Sequence, residues 1–296
     1  MKKQMYLVWC TIIIILLPNV PGLLPPKTLE EIKNVSLNED VPIWKINNSW
    51  NYNINRFQLN FSASNALISL DSSIDNLTIK LIGYTESSYI LDLSGRINGS
   101  FRYESGEGMV LKGNLLFTKI SGNTNIRKND LANEKIHIFI KGIVVLTIHI
   151  LQIPIPIPLP LTITINVNQS SPRSYIDFPL HDGKQGLINE TTLTANIKIE
   201  SIVLQILTYF INEIPPFIFH QETFNIPMLN YSMEKQNISV IAGIFDSYEV
   251  RFNWDIFGSI YYAPSVGNIV KAEAVIDIPE KFMVLLIGEL KSYIYQ

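Results

Sequence analysis

The sequence predicts an α+β, β-dominated fold in which an antiparallel sheet packs against one or two amphipathic helices. Three observations predict it. Apolar residues recur at every second position from about Phe57 to Ile199, residues with turn chemistry interrupt that alternation, and two stretches nearer the C-terminus change to helical spacing.

The alternation is carried by Ile68 and Leu70; Leu77, Ile79 and Leu81; Tyr89, Leu91 and Leu93; Phe101 and Tyr103; Met109 and Leu111; and Leu115 and Phe117. Each set alternates with polar residues, as a half-buried strand does. Asp75-Asn76, Asn98-Gly99, Gly106-Glu107-Gly108 and Ser121-Gly122-Asn123 read as the turns between them. Short turns between consecutive strands imply an antiparallel meander and exclude a βαβ fold. Between Lys141 and Val167 the pattern is strictest: every odd position from Ile153 to Val167 is Ile, Leu or Val. The even positions hold Pro154, Pro156, Pro158 and Pro160, then Thr162, Thr164 and Asn166. Proline cannot donate to a central ladder, so the proline half is expected at an edge, a bulge or an extended arm.

Two helices are expected. Ser201 to Ile214 places Val203, Ile206, Leu207, Phe210 and Ile214 on one face, and Pro215-Pro216 stops it. Pro279 to Tyr295 opens with Pro279-Glu280 and carries Phe282, Leu285, Leu286, Leu290 and Ile294. Between them Ile238 to Ile244, Tyr248 to Phe252, Ile256 to Tyr262 and Lys271 to Ile278 read as strands. Thr28 with Glu31 forms a capping box for a brief N-terminal helix, and Asn47 to Asn55 reads as irregular.

Residues 1–22 read as a signal peptide. Lys2 and Lys3 precede an apolar stretch from Tyr6 to Leu17, with Val20 and Gly22 before a cleavage point at Leu23. The apolar stretch is short for a membrane anchor, which needs about 20 residues. Removal of the two lysines takes the formal charge from −3 to −5, and no basic cluster marks nucleic acid as a partner. The single cysteine, Cys10, leaves with the signal, so neither a disulfide nor a thiolate metal site is available afterwards. Domain organisation is then a signal at 1–22, a linker and short helix at 23–56, and one β-rich domain at 57–296. Asn-x-Ser/Thr sequons begin at Asn34, Asn47, Asn60, Asn76, Asn98, Asn168, Asn189, Asn230 and Asn237, and fit a secreted, extracellular glycoprotein.

No catalytic constellation emerges from the four histidines. His-Glu-x-x-His and Gly-x-Ser-x-Gly are absent, and His181-Asp182-Gly183 reads first as a turn. No enzyme activity, metal or cofactor is expected.

Leu93 to Ile126 resembles the tubular lipid-binding superfamily, which includes bactericidal/permeability-increasing proteins and the insect takeout and juvenile-hormone-binding proteins. The resemblance rests on Gly99 before Phe101-x-Tyr103, the strand around Leu111, and Ile120-Ser121-Gly122. Leu204 to Asn230 adds an apolar helix, Pro215-Pro216-Phe217 and Asn225-Ile226-Pro227. The chain departs from those relatives in lacking a cysteine after the signal. The resemblance implies a single elongated domain, with a long curved sheet around a helix enclosing a channel for lipid or another apolar small molecule. Phe101, Tyr103, Leu111 and Phe117 would line the sheet side of that channel; Leu204, Leu207, Phe210, Ile211 and Ile214 would face it from the helix. The same reading leaves room for transient contact with a membrane surface. The competing reading is a glycosylated structural or adhesion β-sandwich without a ligand, and a secreted hydrolase is a distant third. An internal cavity longer than about 15 Å, on the scale of a lipid tail, favours the carrier; two sheets packed about 10 Å apart favour the sandwich.

Overall fold

The computed structural model describes residues 41–63, 66–105, 110–150, 153–200, 219–226, 228–253, 256–278 and 282–296. These residues form fourteen strands in a single antiparallel sheet. The first six are β1 (Ser49–Ala63), β2 (Ala66–Tyr84), β3 (Ser88–Ser105), β4 (Val110–Arg127), β5 (Asn133–Ile150) and β6 (Ile153–Gln169). Then come β7 (Gln185–Ile188), β8 (Thr191–Glu200), β9 (Phe219–Ile226) and β10 (Leu229–Val240). The last four are β11 (Gly243–Asn253), β12 (Ile256–Ala263), β13 (Asn268–Ile278) and β14 (Phe282–Ile294). Their spatial order is β7-β10-β11-β12-β13-β14-β1-β2-β3-β4-β5-β6-β8-β9.

The α+β expectation is therefore corrected to all-β: no helix occurs among the described residues. The apolar run expected as a C-terminal helix is β14, hydrogen-bonded between β13 and β1. Phe282, Leu286 and Leu290 fit a period of two as well as a helical one, and Leu286 and Leu290 are buried on one face of the sheet. The helix expected over Ser201 to Ile214, and the capping box at Thr28, lie outside the described residues. Ile238 to Ile244 is not one strand: it holds the end of β10, a two-residue turn at Ile241 and Ala242, and the start of β11, with Val240 paired to Gly243. The irregular stretch expected from Asn47 to Asn55 contains the start of β1.

Several expected turns are strand interior. Asp75-Asn76 is a bulge within β2, where Asn76 takes a φ of 51° and the β3 register shifts between Asp75 and Thr78. Asn98-Gly99 sits at the shift between Ile97 and Gly99, and Ser121-Gly122-Asn123 pairs without interruption with Phe139, Ile138 and His137. The real strands are thus about twice as long as the expected ones. The 18 residues of β3 span about 60 Å at 3.4 Å per residue. The shifts in β1 through β4 neighbour one another and form a band of bulges across the sheet, which bends it.

Connectivity dictates how far the sheet bends. β7 and β8 are twelve strand spacings apart in the sheet order, about 58 Å if the sheet were flat. Only Asn189 and Glu190 separate them in sequence, so Ile188 and Thr191 lie within about 11 Å. The sheet must roll until its edges meet at that end. Accordingly, one continuous cluster of buried side chains draws on strands from both halves: Ile136, Ile165 and Leu193 on one side, Tyr231, Val250 and Tyr262 on the other.

The band of bulges requires close approach of backbones. A Cβ on Gly99 would lie 2.7 Å from the Ser72 Cα, whereas one on Gly83 would meet nothing nearer than 3.9 Å. Gly99→Val should lower stability by about 1–3 kcal/mol and Gly83→Val by much less, read as shifts of the urea unfolding midpoint at unchanged slope.

Candidate apolar site

Among the described residues, aromatic side chains plug one end of the inner face. At the end where β2 meets β3 and β12 meets β13, indoles and phenols bind turn carbonyls. Trp44 Nε1 donates to Gly267 O at 2.9 Å, Trp50 Nε1 to Val266 O at 3.0 Å, and Tyr52 Oη to Ile269 O at 2.9 Å. Trp44 also packs on Trp50 and Tyr89, with ring centroids 4.9 and 5.1 Å away, and its backbone N–H donates to the Tyr89 hydroxyl. Burial without an ionising partner pushes the Tyr52 phenol well above its usual pKa, so it stays a neutral donor.

The segment between β6 and β7 completes the plug. Tyr175 meets Phe252 and Phe178 meets Tyr262, both edge-on, at 6.0 and 5.6 Å. The Tyr231 hydroxyl donates to Asp177, and Lys184 Nζ lies 2.9 Å from that carboxylate. Arg173 Nη1 donates to Asn189 O at 2.6 Å, which fastens the plug to the short β7–β8 link.

Beyond the plug, the ladder registers align apolar positions from strand to strand as belts. One belt takes one residue per strand from β12 to β6: Ile256, Ile276, Val284, Leu59, Leu70, Phe101, Gly113, Leu146 and Ile157. The next belt toward the hairpin tips includes Phe61, Ile68, Tyr103 and Leu111. The belt on the plug side includes Gly258, Ala274, Ser72 and Gly99, so small residues alternate there with Leu286 and Phe57. Leu70, Phe57 and Leu286 are buried, and Ile157 is half-buried.

Three of the expected lining residues, Phe101, Tyr103 and Leu111, thus sit together on β3 and β4. Phe117 does not join them: it occupies the β4 bulge with a φ of 52° and is 85% exposed. Leu204, Leu207, Phe210, Ile211 and Ile214 lie outside the described residues. The sequence reading missed Leu70, Leu146, Ile157, Ile276 and Val284 as belt members; their alternation was visible, but the strand pairing that aligns them was not. Among the described residues the proline half of β6 is an edge, as expected, although β6 pairs with β5 along its whole length. Its other side is paired with β8 only from Thr162 to Gln169, so the prolines occupy the stretch that lacks a β8 partner.

Asn47, Asn60, Asn76, Asn98, Asn168, Asn189, Asn230 and Asn237 are all exposed, and Asn34 lies outside the described residues. His181-Asp182-Gly183 is a turn: Gly183 has a φ of 75°, and Asp182 Oδ1 accepts from the Lys235 N–H. His137 stacks edge-on with Phe139 and is hydrogen-bonded to Asn166. Among the described residues no group of three His, Cys, Asp or Glu could hold a metal ion.

The densest polar cluster surrounds Glu249, which accepts from Arg251, Ser259, Tyr261 and Gln236. Burial pushes its carboxyl up, but the hydrogen bonds from Arg251, Ser259 and Tyr261 and the Arg251 charge outweigh burial and hold it below the usual range. A carboxylate committed to four donors is an anchor for β10, β11 and β12, not a proton shuttle. No family model, curated protein or solved structure matches the chain.

Because Glu249 is held below its unfolded pKa, its contribution is present above the carboxylate range and is lost as pH falls through the folded value. Glu249→Gln should therefore be less stable than the parent at pH 7, with the gap closing on acidification. Urea midpoints measured across the acid limb check this.

Proposed function

We propose that this protein is a secreted glycoprotein that holds a lipid or another apolar small molecule on the inner face of its rolled sheet. The observation that supports it is the width of the roll. Side chains alone fill a barrel of about eight strands, and interiors widen as strands are added. By the same scaling fourteen strands rolled edge to edge would enclose more room than that, and among the described residues the aromatic plug fills one end. Past the plug, the inner positions continue as belts of Ile, Leu, Val and Phe interrupted by glycine and serine.

The apolar belts carry enough driving force for carriage. Each buried methylene contributes about 0.8 kcal/mol, so a 16-carbon chain contributes roughly 12 kcal/mol gross, offset in part by lost motion on binding. The stretch of β6 from Ile153 to Leu161 is about 30 Å long, room for such a chain lengthwise. No charged anchor is required.

The orientation of the faces also supports an interior ligand over a membrane-spanning barrel. A transmembrane barrel is apolar outside and polar inside. Here Lys80, Asp92, Arg96, Asn98 and Lys135 are exposed on the outside while Ile79, Leu91, Leu93 and Ile136 are buried on the inside. The Leu93 to Ile126 stretch that resembles tubular lipid-binding proteins is the β3–β4 pair, and contributes Phe101, Tyr103 and Leu111 to the belts. Secretion and glycosylation are supported by the signal-like N-terminus and by the exposure of every described sequon asparagine.

Titration with a fluorescent fatty acid tests the reading. The parent should saturate at micromolar concentration. Ile157→Asp, which puts a charge on the inner belt, should weaken binding at least tenfold. Thr164→Asp, on the opposite face of β6, should leave it unchanged. Absence of binding by the parent, or equal binding by Ile157→Asp, would overturn the proposal. Treatment of secreted protein with peptide N-glycosidase should also lower its mass, with asparagine converted to aspartate at exposed sequons.

A further inference from the structure

The outer face of the sheet carries a feature that neither the fold nor the carrier reading requires. Arg96 on β3, Lys119 on β4 and Lys141 on β5 are directly opposite one another in the ladder. All three are exposed. Like charges placed directly opposite across strands destabilise a sheet, and among the described residues none of the three forms an ion pair. An acid stands at each end of the row: Asp75, opposite Arg96 on β2, whose carboxylate accepts from Asn98, and Glu200 on β8, beyond Thr162 of β6. This concentration of positive charge stands in a chain whose overall charge is −3.

The row borders an exposed apolar band. Two residues before Lys119 the β4 bulge extrudes Phe117, which is 85% exposed, in a left-handed conformation that a bulky residue rarely adopts. Leu116 is 42% exposed and pairs with Ile143, which is 37% exposed. Protein folding gains nothing from an aromatic ring held out in water beside three cations in direct register. A surface that is anionic outside and apolar beneath accommodates both: cations stay at the headgroups while the ring enters the acyl boundary.

We infer that Arg96, Lys119 and Lys141, together with Phe117, Leu116 and Ile143, form a docking face for an anionic lipid bilayer. The face is built on β3, β4 and β5, which also supply Phe101, Leu111 and Leu146 to the inner belts. Docking there would place the wall that carries those belts against a lipid source, and in that sense the inference rests on the carrier reading. Asn98 lies on the same outer face of β3, beside Arg96, so a glycan there would shield the row.

The test is flotation with vesicles of phosphatidylcholine, with and without phosphatidylserine, using the full secreted protein and its Asn98→Gln variant. Asn98→Gln should bind only the phosphatidylserine vesicles, and added salt should release it. Lys119→Gln/Lys141→Gln in that background should bind about 25-fold more weakly, at roughly fivefold per cation. Phe117→Ala should bind about tenfold more weakly, and Lys80→Gln/Lys235→Gln, with the same charge change elsewhere, should bind as the parent does. No binding by either parent form, equal binding to both vesicle types, or retention in the Phe117→Ala and double-lysine variants would overturn the inference. Dimers lost in Phe117→Ala, seen by sedimentation without vesicle binding, would also overturn it and assign the face to a second copy of the chain. Fatty-acid titration of the same preparations separates the two readings, since carriage can hold where docking fails.

Discussion

The connection through Asn189 and Glu190 is the constraint on which the rest of the structure depends. Two residues join a strand at one edge of the sheet to a strand beside the other edge, so the sheet has to be rolled. Rolling turns a repetitive pattern of alternation into two different environments. One face becomes an interior that no second layer of described structure covers; the other becomes the exterior. The link is held by Arg173, which is buried and donates to Asn189 O, and by Thr191, whose hydroxyl donates to Ser171 O at 2.7 Å. The sheet itself supplies the wall, and the aromatic segments at 44–52 and 173–180 supply the closure of one end.

A second consequence follows from strand length. Strands in globular proteins average five or six residues, and those here reach 19. A sheet of such long strands can coil only if the backbone is allowed to shear. The bulges at Ile54, Asn76, Asn98 and Phe117 provide that, and Gly99 and Gly142 permit the close approach of neighbouring strands beside them. The same band of bulges separates the end filled by tryptophan, tyrosine and the plug from the end where aliphatic positions stand in register across the sheet. Bending, filling and lining are thus distributed along each strand, with no separate domain for any of them.

Much of this was legible in the sequence, and the gaps have identifiable causes. Alternation located the strands from Phe57 to Ile199, because Leu77, Ile79 and Leu81 or Tyr89, Leu91 and Leu93 admit no helical reading. It could not fix where strands ended. Asn76, Asn98-Gly99 and Ser121-Gly122-Asn123 have turn chemistry, yet a bulge uses the same left-handed asparagines and side-chain-free glycines as a turn. The C-terminal strand was misread because Phe282, Leu286 and Leu290 satisfy both periods, and only pairing with β1 and β13 decides between them. Of the site, Phe101, Tyr103 and Leu111 were found because they alternate locally. The belts that join them to Leu70, Leu146 and Val284 depend on register between distant strands, which one sequence does not encode locally. Phe117 was placed inside by the same alternation, and the bulge moved it out.

On the carrier reading, the wide end of the roll is filled by a molecule the chain does not encode. Native mass spectrometry of protein secreted by its own host, before and after extraction with organic solvent, measures this directly. The account predicts a mass excess over the glycosylated chain that is removed by extraction and recovered as lipid or another apolar compound. An identical mass before and after extraction, with no apolar compound in the organic phase, would contradict it.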